Sequence, residues 1–394
     1  HGSGQAAFCG GCDWQHLAYP AQLEWKRRLV NEALERVGGL KGITVKPTLG
    51  METPWRYRNK AQFPVAGRPG HLQMGFYQSG SHRLVDLEDC PLHPEGLMKA
   101  ARATKTALEA QRVLPYDEHG QRGDMRHVVI RWSDRTGARE MTIVTRGSRP
   151  VRGEPLQKAL GGGAVYHNVQ PEATNVILGR QTRRLEGGGA GRGGTFTERV
   201  AGRVFRVSPG AFFQVNPTGA DRLVEVLDQW FEATIPPAPP GADLLDLFCG
   251  VGLFAISASR RFNRVWGVDD SKAAVADAVG NARANGAGNC RFEVGHADRL
   301  LPKIAARAGL EPQDRKRPLV VVVDPPRAGC SPETLAQIIR LAPERLGYVS
   351  CDPATLARDL KPLVASGLQI ESVQPVDLFP QTSHIESVAM LSRV

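Results

Sequence analysis

The sequence predicts an α/β protein. Its larger part is a doubly wound parallel sheet with an antiparallel last strand, and a smaller α+β domain precedes it. After Gly202, apolar strands alternate strictly with helical stretches, a pattern typical of a parallel sheet with helices on both faces. The strand LVVVV at 319–323 is so apolar that both of its faces must be covered. Between 42 and 200, short β-like runs separated by turn residues indicate the α+β domain.

Length and composition restrict the class of protein. The chain has 394 residues, of which 41% are hydrophobic and 23% charged, which suits two or three domains and excludes a wholly disordered chain. No apolar run approaches the roughly 18 residues of a membrane span and the start has no signal-peptide layout, so we expect a cytoplasmic protein without membrane contact. Seven scattered cysteines indicate reduced thiols, a metal or cluster site, or catalysis rather than a disulfide framework. The net charge of +10 is compatible with a polyanionic partner.

The N-terminal half begins with a helix and continues with short strands. Apolar residues of 19–37 fall mostly at helical spacing, and Gly38-Gly39 ends that helix. We predict strands at 61–65, 72–76, 83–86, 127–132, 140–145 and 164–169, with helices at 95–111 and 155–160. The glycine-rich run at 184–194 is expected to form a loop.

The C-terminal half supplies the alternating elements. We predict strands at 244–248, 265–268, 291–294, 319–323, 347–350, 370–377 and 387–391. Helices are expected between the glycine turn and 261, and at 271–285, 332–341 and 354–364. The link between the last two strands is too short for a crossover helix, so this pair must be antiparallel.

A glycine turn and a carboxylate mark one end of this sheet as a ligand site. The turn at Gly250 and Gly252 follows a strand and opens a helix, so a ligand can approach the backbone closely. Asp269 ends the next strand, where a carboxylate accepts hydrogen bonds from a ribose diol, and Asp270 is expected to cap the helix that follows. Both features suit nicotinamide dinucleotides and S-adenosylmethionine alike.

Three reactive side chains follow neighbouring strands. Asp324 precedes two prolines that fix a rigid turn, which suits an enzyme that holds a planar base beside a methyl donor and not a dehydrogenase. Cys351 ends the next parallel strand, before a helix whose dipole would favour the thiolate; Cys249, Cys290 and Cys330 are expected to have no chemistry. Glu386 lies between the last two strands among apolar residues, which would raise its pKa and suit a general base, with His384 as the rival.

These groups together suit methyl transfer to carbon 5 of a pyrimidine. Addition of the Cys351 thiolate at carbon 6 would make carbon 5 nucleophilic towards a methyl sulfonium. Glu386 would then remove the proton from carbon 5, so that the thiol is eliminated. Asp324 would hold the edge of the base and keep the ring in register with Cys351.

At this point the sequence resembles the S-adenosylmethionine-dependent RNA 5-methyluridine methyltransferases. The resemblance is carried, in the family's order, by SPGAFFQVN (208–216), DLFCGVGLF (246–254), DPPRAG (324–329), YVSCDP (348–353) and FPQTSHIESV (379–388). It implies a Rossmann-like class I methyltransferase fold, Cys351 as nucleophile and Glu386 as general base. The implied cofactor positions are Gln214, Phe248, Gly250, Asp269, His296 and Asp324. Phe212 resembles the aromatic residue that stacks near a flipped base, while Leu253 and His296 depart from the residues usual in the family.

The N-terminal half resembles the iron–sulfur module of the ribosomal-RNA branch of the family. The similar residues are FCGGCDWQH (8–16) and Asp89-Cys90-Pro91. The family uses four cysteines, but Ser3 stands where the first is expected, which leaves Cys9, Cys12 and Cys90. An unusual fourth ligand, an altered start, a vestigial site and metal-free thiols all remain open. The resemblance favours 23S ribosomal RNA as substrate, with transfer RNA as the alternative.

The resemblance also implies a discontinuous domain arrangement. Residues 1–18 would belong to the central domain, 19–41 would pack on the catalytic domain, 42–200 would form the central domain, and 201–394 the catalytic domain. The residues before the cysteine motif are too few for the small N-terminal RNA-binding barrel of the family, so we expect the given sequence to lack it. We expect a monomer.

Basic and aromatic residues alternate in Trp55-Arg56-Tyr57-Arg58-Asn59-Lys60, which suits stacking and phosphate contacts with RNA. The target uridine must leave its stack to reach such a crevice, so we expect a loop or single strand as substrate.

Two other classes of protein compete with this interpretation. An exocyclic-amine methyltransferase would need no thiol and would place an aromatic residue where Arg327 stands, and an inactive RNA-binding or iron–sulfur protein would not need the set of Cys351, Glu386 and Asp324.

Overall fold

The computed structural model describes residues 9–118, 120–148, 151–185, 195–235 and 241–393. Its secondary structure is organised around two seven-stranded sheets and one two-stranded hairpin. None of the helices in these ranges has both the length and the apolar character needed to cross a bilayer.

The N-terminal half contains helices and the first sheet. The helices are α1 (Tyr19–Arg36), α2 (Glu95–Ala110) and α3 (Gly153–Leu160). The strands are β1 (Lys60–Arg68), β2 (His71–Tyr77), β3 (Leu84–Asp86), β4 (Met125–Trp132), β5 (Arg139–Thr145), β6 (Ala164–Val169) and β7 (Gln181–Arg184), in the order β3-β2-β1-β4-β5-β6-β7. The hairpin β8 (Thr197–Val200) and β9 (Arg203–Arg206) follows.

The C-terminal half contains the second sheet. Its helices are α4 (Pro217–Thr234), α5 (Leu253–Ala258), α6 (Lys272–Ala284), α7 (Ala297–Ala308), α8 (Pro332–Leu341) and α9 (Pro353–Ala365). Its strands are β10 (Ala242–Leu247), β11 (Phe262–Asp269), β12 (Cys290–Val294), β13 (Leu319–Val323), β14 (Arg345–Ser350), β15 (Leu368–Val376) and β16 (Glu386–Arg393).

The second sheet has the order β12-β11-β10-β13-β14-β16-β15, with the first five strands parallel and β16 antiparallel to both of its neighbours. The predicted α/β class, the doubly wound sheet and the antiparallel last pair are therefore confirmed. The strand order reverses between β10 and β13, and ligands of open α/β sheets bind at the carboxyl ends of the strands at such a point.

Apolar packing covers both faces of this sheet. Val320 and Val322 of β13 belong to one buried cluster, whereas Leu319, Val321 and Val323 belong to a second one on the other face. The expectation that 319–323 is buried on both faces is thus correct. A third cluster forms the core of the first sheet.

The predicted division into domains remains a prediction, but two packing contacts bear on it. Val30 and Leu34 of α1 lie in the same cluster as β13 and α9 of the second sheet. Phe196 and Val200 also pack into a cluster of the second sheet, although they precede the predicted boundary at 201.

Several elements were not predicted from the sequence. These are α4, α7, β7, β8 and β9. All four residues of β7 are exposed, so this strand has no apolar alternation that could reveal it. Of the predicted loop at 184–194, Arg184 ends β7 and residues 186–194 lie outside the described residues.

Candidate active site

Three side chains meet where β13, β14 and β16 adjoin. Asp324 directly follows β13, and Cys351 directly follows β14, its parallel neighbour. Glu386 begins β16, which pairs with β14 so that Ser350 is opposite Ser387. Continued by one residue, this register places Glu386 across from Cys351. The sequence predicted this convergence for Asp324 and Cys351 from parallel neighbours, and the antiparallel final pair adds Glu386.

Glu386 is 3% exposed, and burial raises its pKa well above the ordinary carboxyl range. The Asp324 charge raises the pKa further, whereas Arg327 lowers it. Burial also raises the pKa of Asp324, to about 7. The elevated pKa expected for Glu386 from its apolar surroundings agrees with this environment.

Cys351 differs from the expectation in one respect. Its thiol is half-buried, and its pKa is raised to about 11, mainly by burial and then by the charge of Glu386. The expected stabilisation of the thiolate by the dipole of α9 does not dominate, because burial outweighs it. The first N–H groups of α9 are bound by its cap Asp352, which accepts hydrogen bonds from the Ala354 and Thr355 N–H groups. Arg327 is the neighbouring charge that lowers the thiol pKa. The resting thiol therefore keeps its proton at neutral pH.

Arg327 lies in the exposed turn after Asp324 and approaches His384. Its Nη2 is 3.1 Å from Nδ1 of His384, and burial together with the Arg327 charge lowers the pKa of that histidine. The imidazole is thus neutral at physiological pH. A guanidinium can only donate, so Nδ1 of His384 accepts this hydrogen bond and its lone pair is occupied. This contact weakens the case for His384 as the rival base.

The glycine turn after β10 has the backbone geometry that a close ligand contact needs. Phe248 has φ +63°, an unusual value for a residue with a side chain, and Gly250 and Gly252 have φ +53° and +90°. A Cβ placed on Gly250 would meet no heavy atom within 4 Å, so the space beside its backbone is open. The turn leads directly into α5, whose first N–H groups favour polar or anionic ligand groups.

Asp269 at the end of β11 holds this turn in place. Its carboxylate accepts hydrogen bonds from the Gly250 N–H and the Ser271 N–H, both at 2.9 Å. The cap of α6 is Ser271, which accepts from the Ala274 N–H at 3.3 Å, so the expectation that Asp270 caps this helix is wrong. Asp269 thus orders the turn and stands at the carboxyl edge of the sheet, while its contact with a ribose remains a prediction.

Asp246 is a site residue that the sequence reasoning did not single out as functional. It is fully buried at the end of β10, and its Oδ2 accepts from the Ala255 N–H while Oδ1 has no hydrogen-bond partner. Burial and the charges of Asp324 and Asp269 raise its pKa to about 8. The carboxyl groups of Asp246, Asp269 and Asp324 around one turn suit a ligand that brings positive charge, and S-adenosylmethionine carries a sulfonium and an ammonium group. The residues present therefore fit this cofactor. The signal in the sequence was the Asp that opens DLFCGVG.

The loop 207–216 presents Phe212 to solvent. Its side chain is 66% exposed, whereas the neighbouring Gln214 is buried. The guanidinium of Arg131 donates to the carbonyl groups of Ser208 and Ala211 at 2.9 and 2.5 Å, and Asp277 accepts from the Ser208 N–H. An exposed aromatic side chain on a loop held so firmly is a suitable stacking platform for a base.

The three basic residues predicted to contact RNA have different surroundings. The Arg56 guanidinium forms a two-pronged ion pair with Asp89 and donates to the carbonyl groups of Cys90 and His93. Lys60 is partly buried at the start of β1, and burial lowers its pKa to about 7. The charge of Arg58 contributes to the lowered pKa of His384, so Arg58 lies near the candidate site. RNA contacts by these residues remain predictions.

Cys9, Cys12 and Cys90 lie near one another. Burial raises the pKa of Cys12 to about 12, and the charges of Cys9 and Cys90 raise it further. Within the described ranges no group of three His, Cys, Asp or Glu side chains is arranged to hold a metal ion, and Ser3 lies outside those ranges. The described residues do not fit the predicted iron–sulfur cluster.

His296, the remaining predicted cofactor residue, is exposed at the N-terminus of α7.

Comparisons with known proteins agree with this geometry. The sequence model of a family described as tRNA (uracil-5-)-methyltransferase matches residues 197–394. An uncharacterized RNA methyltransferase of Halalkalibacterium halodurans is 39% identical over 389 residues, which cover 97% of this chain and 81% of the relative. A similarly described protein of Gloeobacter violaceus is 40% identical over 396 residues, which cover 98% of this chain and 81% of the relative.

A solved structure has the same fold over nearly the whole chain. It is the Pyrococcus abyssi tRNA (uracil-54, C5)-methyltransferase in complex with S-adenosyl-L-homocysteine, with a TM-score of 0.76 and 26% sequence identity. The match covers 98% of this chain and 86% of the other.

Proposed function

The chain belongs to the tRNA (uracil-5-)-methyltransferase family of S-adenosylmethionine-dependent RNA-modifying enzymes, and on this premise we propose that it methylates carbon 5 of a uridine through a covalent bond to Cys351. The observation that carries the proposal is the meeting of Cys351, Asp324 and Glu386 where β13, β14 and β16 adjoin. A thiol, a rigid carboxyl and a buried second carboxyl are the groups this reaction needs, and an exocyclic-amine transfer would leave the thiol without a role.

The chain's own residues perform the proton and covalent steps. The Cys351 thiol loses its proton and its sulfur bonds to carbon 6, while the electron pair of the carbon 5–carbon 6 double bond moves onto carbon 5 and the adjoining carbonyl. The half-buried Cys351 thiol passes its proton to solvent water, so that Glu386 stays free to take the carbon 5 proton later and Asp324 stays ionised towards the base. Asp324 accepts a hydrogen bond from the base edge and holds the ring beside Cys351.

S-adenosylmethionine supplies the methyl group, which leaves its sulfonium for carbon 5. The residues proposed to hold the cofactor are Gln214, Phe248, Gly250, Asp269, Asp324 and His296. Glu386 then takes the proton from carbon 5, the electron pair of that C–H bond restores the double bond, and the carbon 6–sulfur bond breaks to release Cys351.

The base must leave its stack to reach this crevice, so a loop or single-stranded uridine is the proposed target. Phe212 is proposed to stack near it, and Arg56, Arg58 and Lys60 to contact the RNA. We favour 23S ribosomal RNA because the segments around Cys9 and Cys90 resemble the module of the ribosomal branch. Transfer RNA is a second candidate, since the Pyrococcus abyssi enzyme with the same fold is a tRNA (uracil-54, C5)-methyltransferase.

The test is to incubate the protein and S-adenosylmethionine with 23S ribosomal RNA and with transfer RNA, and to analyse the nucleosides by mass spectrometry. We expect 5-methyluridine in one of the two RNAs, lost in Cys351→Ala and kept in the matched control Cys290→Ala, whose thiol lies in β12. Methylated adenosine, cytidine or guanosine in place of 5-methyluridine, or full activity of Cys351→Ala, would contradict the proposal.

A further inference from the structure

We propose that Lys26 and Gln22 of α1 are positioning residues, which clamp the segment 377–384 and thereby hold the general base Glu386 in its reactive place. The proposal rests on the function proposed above. It concerns a part of the chain far from the catalytic residues in sequence, since Lys26 and Asp377 are 351 positions apart.

Lys26 forms a buried hub beneath this segment. Its side chain and that of Asp377 are both 0% exposed, and their ion pair measures 2.6 Å. The same ammonium donates to the carbonyl oxygen of Phe379 at 3.1 Å and to that of His384 at 2.7 Å. One cation therefore ties the first, third and last residues of the segment together, two residues before Glu386.

Gln22, one turn earlier on α1, holds the middle of the segment. Its Nε2 donates to Oε1 of Gln381 at 3.0 Å, and its Oε1 accepts from the Gln381 N–H at 2.9 Å. The Trp14 N–H donates to the Gln381 carbonyl at 3.0 Å. Gln381 has φ +70°, a left-handed conformation that costs a residue with a side chain and persists only where its surroundings enforce it.

Stability alone is a poor explanation for such a hub. Replacing a buried ion pair by apolar groups of similar volume is often neutral or stabilising, whereas buried ionic groups can fix one conformation among several. The segment also receives Tyr57, which donates to the Pro380 carbonyl, and Asn216, which donates to the Leu378 carbonyl. The clamp and these two side chains together join α1, the core of the first sheet and the loop of Phe212 to the segment that leads into β16.

The clamp is specific for Glu386 rather than for Cys351. Glu386 follows His384, whose carbonyl Lys26 binds, whereas Cys351 stands between β14 and the capped start of α9. Loss of the clamp should thus slow removal of the carbon 5 proton and leave addition of the thiol and methyl transfer largely intact. The covalent RNA–protein intermediate would then accumulate on ordinary RNA.

The test uses Lys26→Met combined with Asp377→Asn, so that no buried charge is left unpaired, and separately Gln22→Met, which removes no charge. Arg36→Met is the matched control, because Arg36 lies on the same helix with a 79% exposed side chain paired to Glu32. In rapid-quench single-turnover experiments with labelled S-adenosylmethionine, we expect release of methylated RNA to slow by about tenfold or more, with methyl incorporation changed by less than about threefold. Adduct resistant to denaturant should accumulate in both clamp variants but not in the control.

Release at the wild-type rate by variants with an unchanged unfolding midpoint would overturn the proposal. A parallel loss of methyl incorporation and release would also overturn it, because it would show a general structural role. If the paired variant does not fold, Gln22→Met decides by the same criteria. Failure of the proposed function is recognised separately, since the wild-type protein would then form no adduct with RNA that contains 5-fluorouridine.

Discussion

Replacement of Glu386 by glutamine separates methyl transfer from release of the product. Glu386 is 3% exposed, and burial raises its pKa, so its surroundings tolerate a neutral side chain better than water would. Glutamine is neutral and nearly the same size, so the free energy of unfolding should fall by no more than about 1 kcal/mol. The variant nevertheless lacks a group that can accept the carbon 5 proton.

The expected kinetic cost follows from the role of a positioned base. General acid–base catalysis contributes roughly 10²–10⁴ in rate, which corresponds to about 3–5.5 kcal/mol at about 1.4 kcal/mol per tenfold. Addition of Cys351 and methyl transfer precede the lost step, so one methyl group per enzyme should still be incorporated. The RNA should then remain attached to Cys351.

The assay is rapid quench into denaturant with radiolabelled S-adenosylmethionine, followed by denaturing electrophoresis. We expect labelled RNA to migrate with the protein and free methylated RNA to appear at least about a hundredfold more slowly than with the wild type. Multiple turnovers at the wild-type rate without a trapped adduct would refute the role of Glu386, and Cys290→Ala serves as the control variant.

Three further predictions concern pH, stacking and stability. The specificity constant kcat/KM should rise with pH between about 6 and 8, because burial raises the pKa of Asp324 to about 7 and the carboxylate accepts a hydrogen bond from the base more strongly than the neutral carboxyl group does; a flat pH–rate profile of single-turnover reactions would contradict this. Phe212→Ala should raise the KM for RNA by about 5- to 150-fold, since a stacking contact is worth about 1–3 kcal/mol, and an unchanged Kd in filter binding together with an unchanged KM would exclude stacking by this 66% exposed ring. Tyr348→Phe removes a buried hydroxyl that donates to Asp359 at 2.6 Å and should lower the free energy of unfolding by about 1.5–3 kcal/mol in urea titrations, whereas an unchanged midpoint would show that this hydrogen bond is dispensable.

The catalytic edge was predictable because it depends on local patterns and a simple rule of topology. The apolar strand before Asp324 and the strand before Cys351 are each visible in the sequence, and parallel neighbours bring their carboxyl ends together. The short link before Glu386 also predicted the antiparallel last pair correctly.

Electrostatic environment was less predictable, because it depends on residues that are distant in sequence. Cys351 was expected to gain from the dipole of α9, but burial, and then the charge of Glu386, raise the pKa of its thiol. Lys26 lies in the basic run Lys26-Arg27-Arg28 of the sequence, yet its side chain is fully buried against Asp377. The residues that set the pKa values and ion pairs of such a site belong to elements that only the tertiary fold brings together.

Local sequence also leaves a residue's partner undetermined. Arg56 stands in a basic and aromatic run typical of RNA contact, but its guanidinium is occupied by Asp89 and two carbonyl groups. The amphipathic helix α4 could have been predicted, since Asn216 caps it, Pro217 begins it and apolar residues recur along one face.

The bond between Cys351 and carbon 6 of the pyrimidine is tested most directly with RNA that carries 5-fluorouridine. Fluorine at carbon 5 cannot leave as a proton does, so a complex that has received the methyl group should persist. We expect intact-mass analysis to show protein plus RNA plus one methyl group, and peptide mapping to place the attachment at Cys351. The RNA must be one that the protein binds and methylates when it carries ordinary uridine. If the 5-fluorouridine form of this RNA gave no adduct, or an adduct at another cysteine, the result would contradict the account.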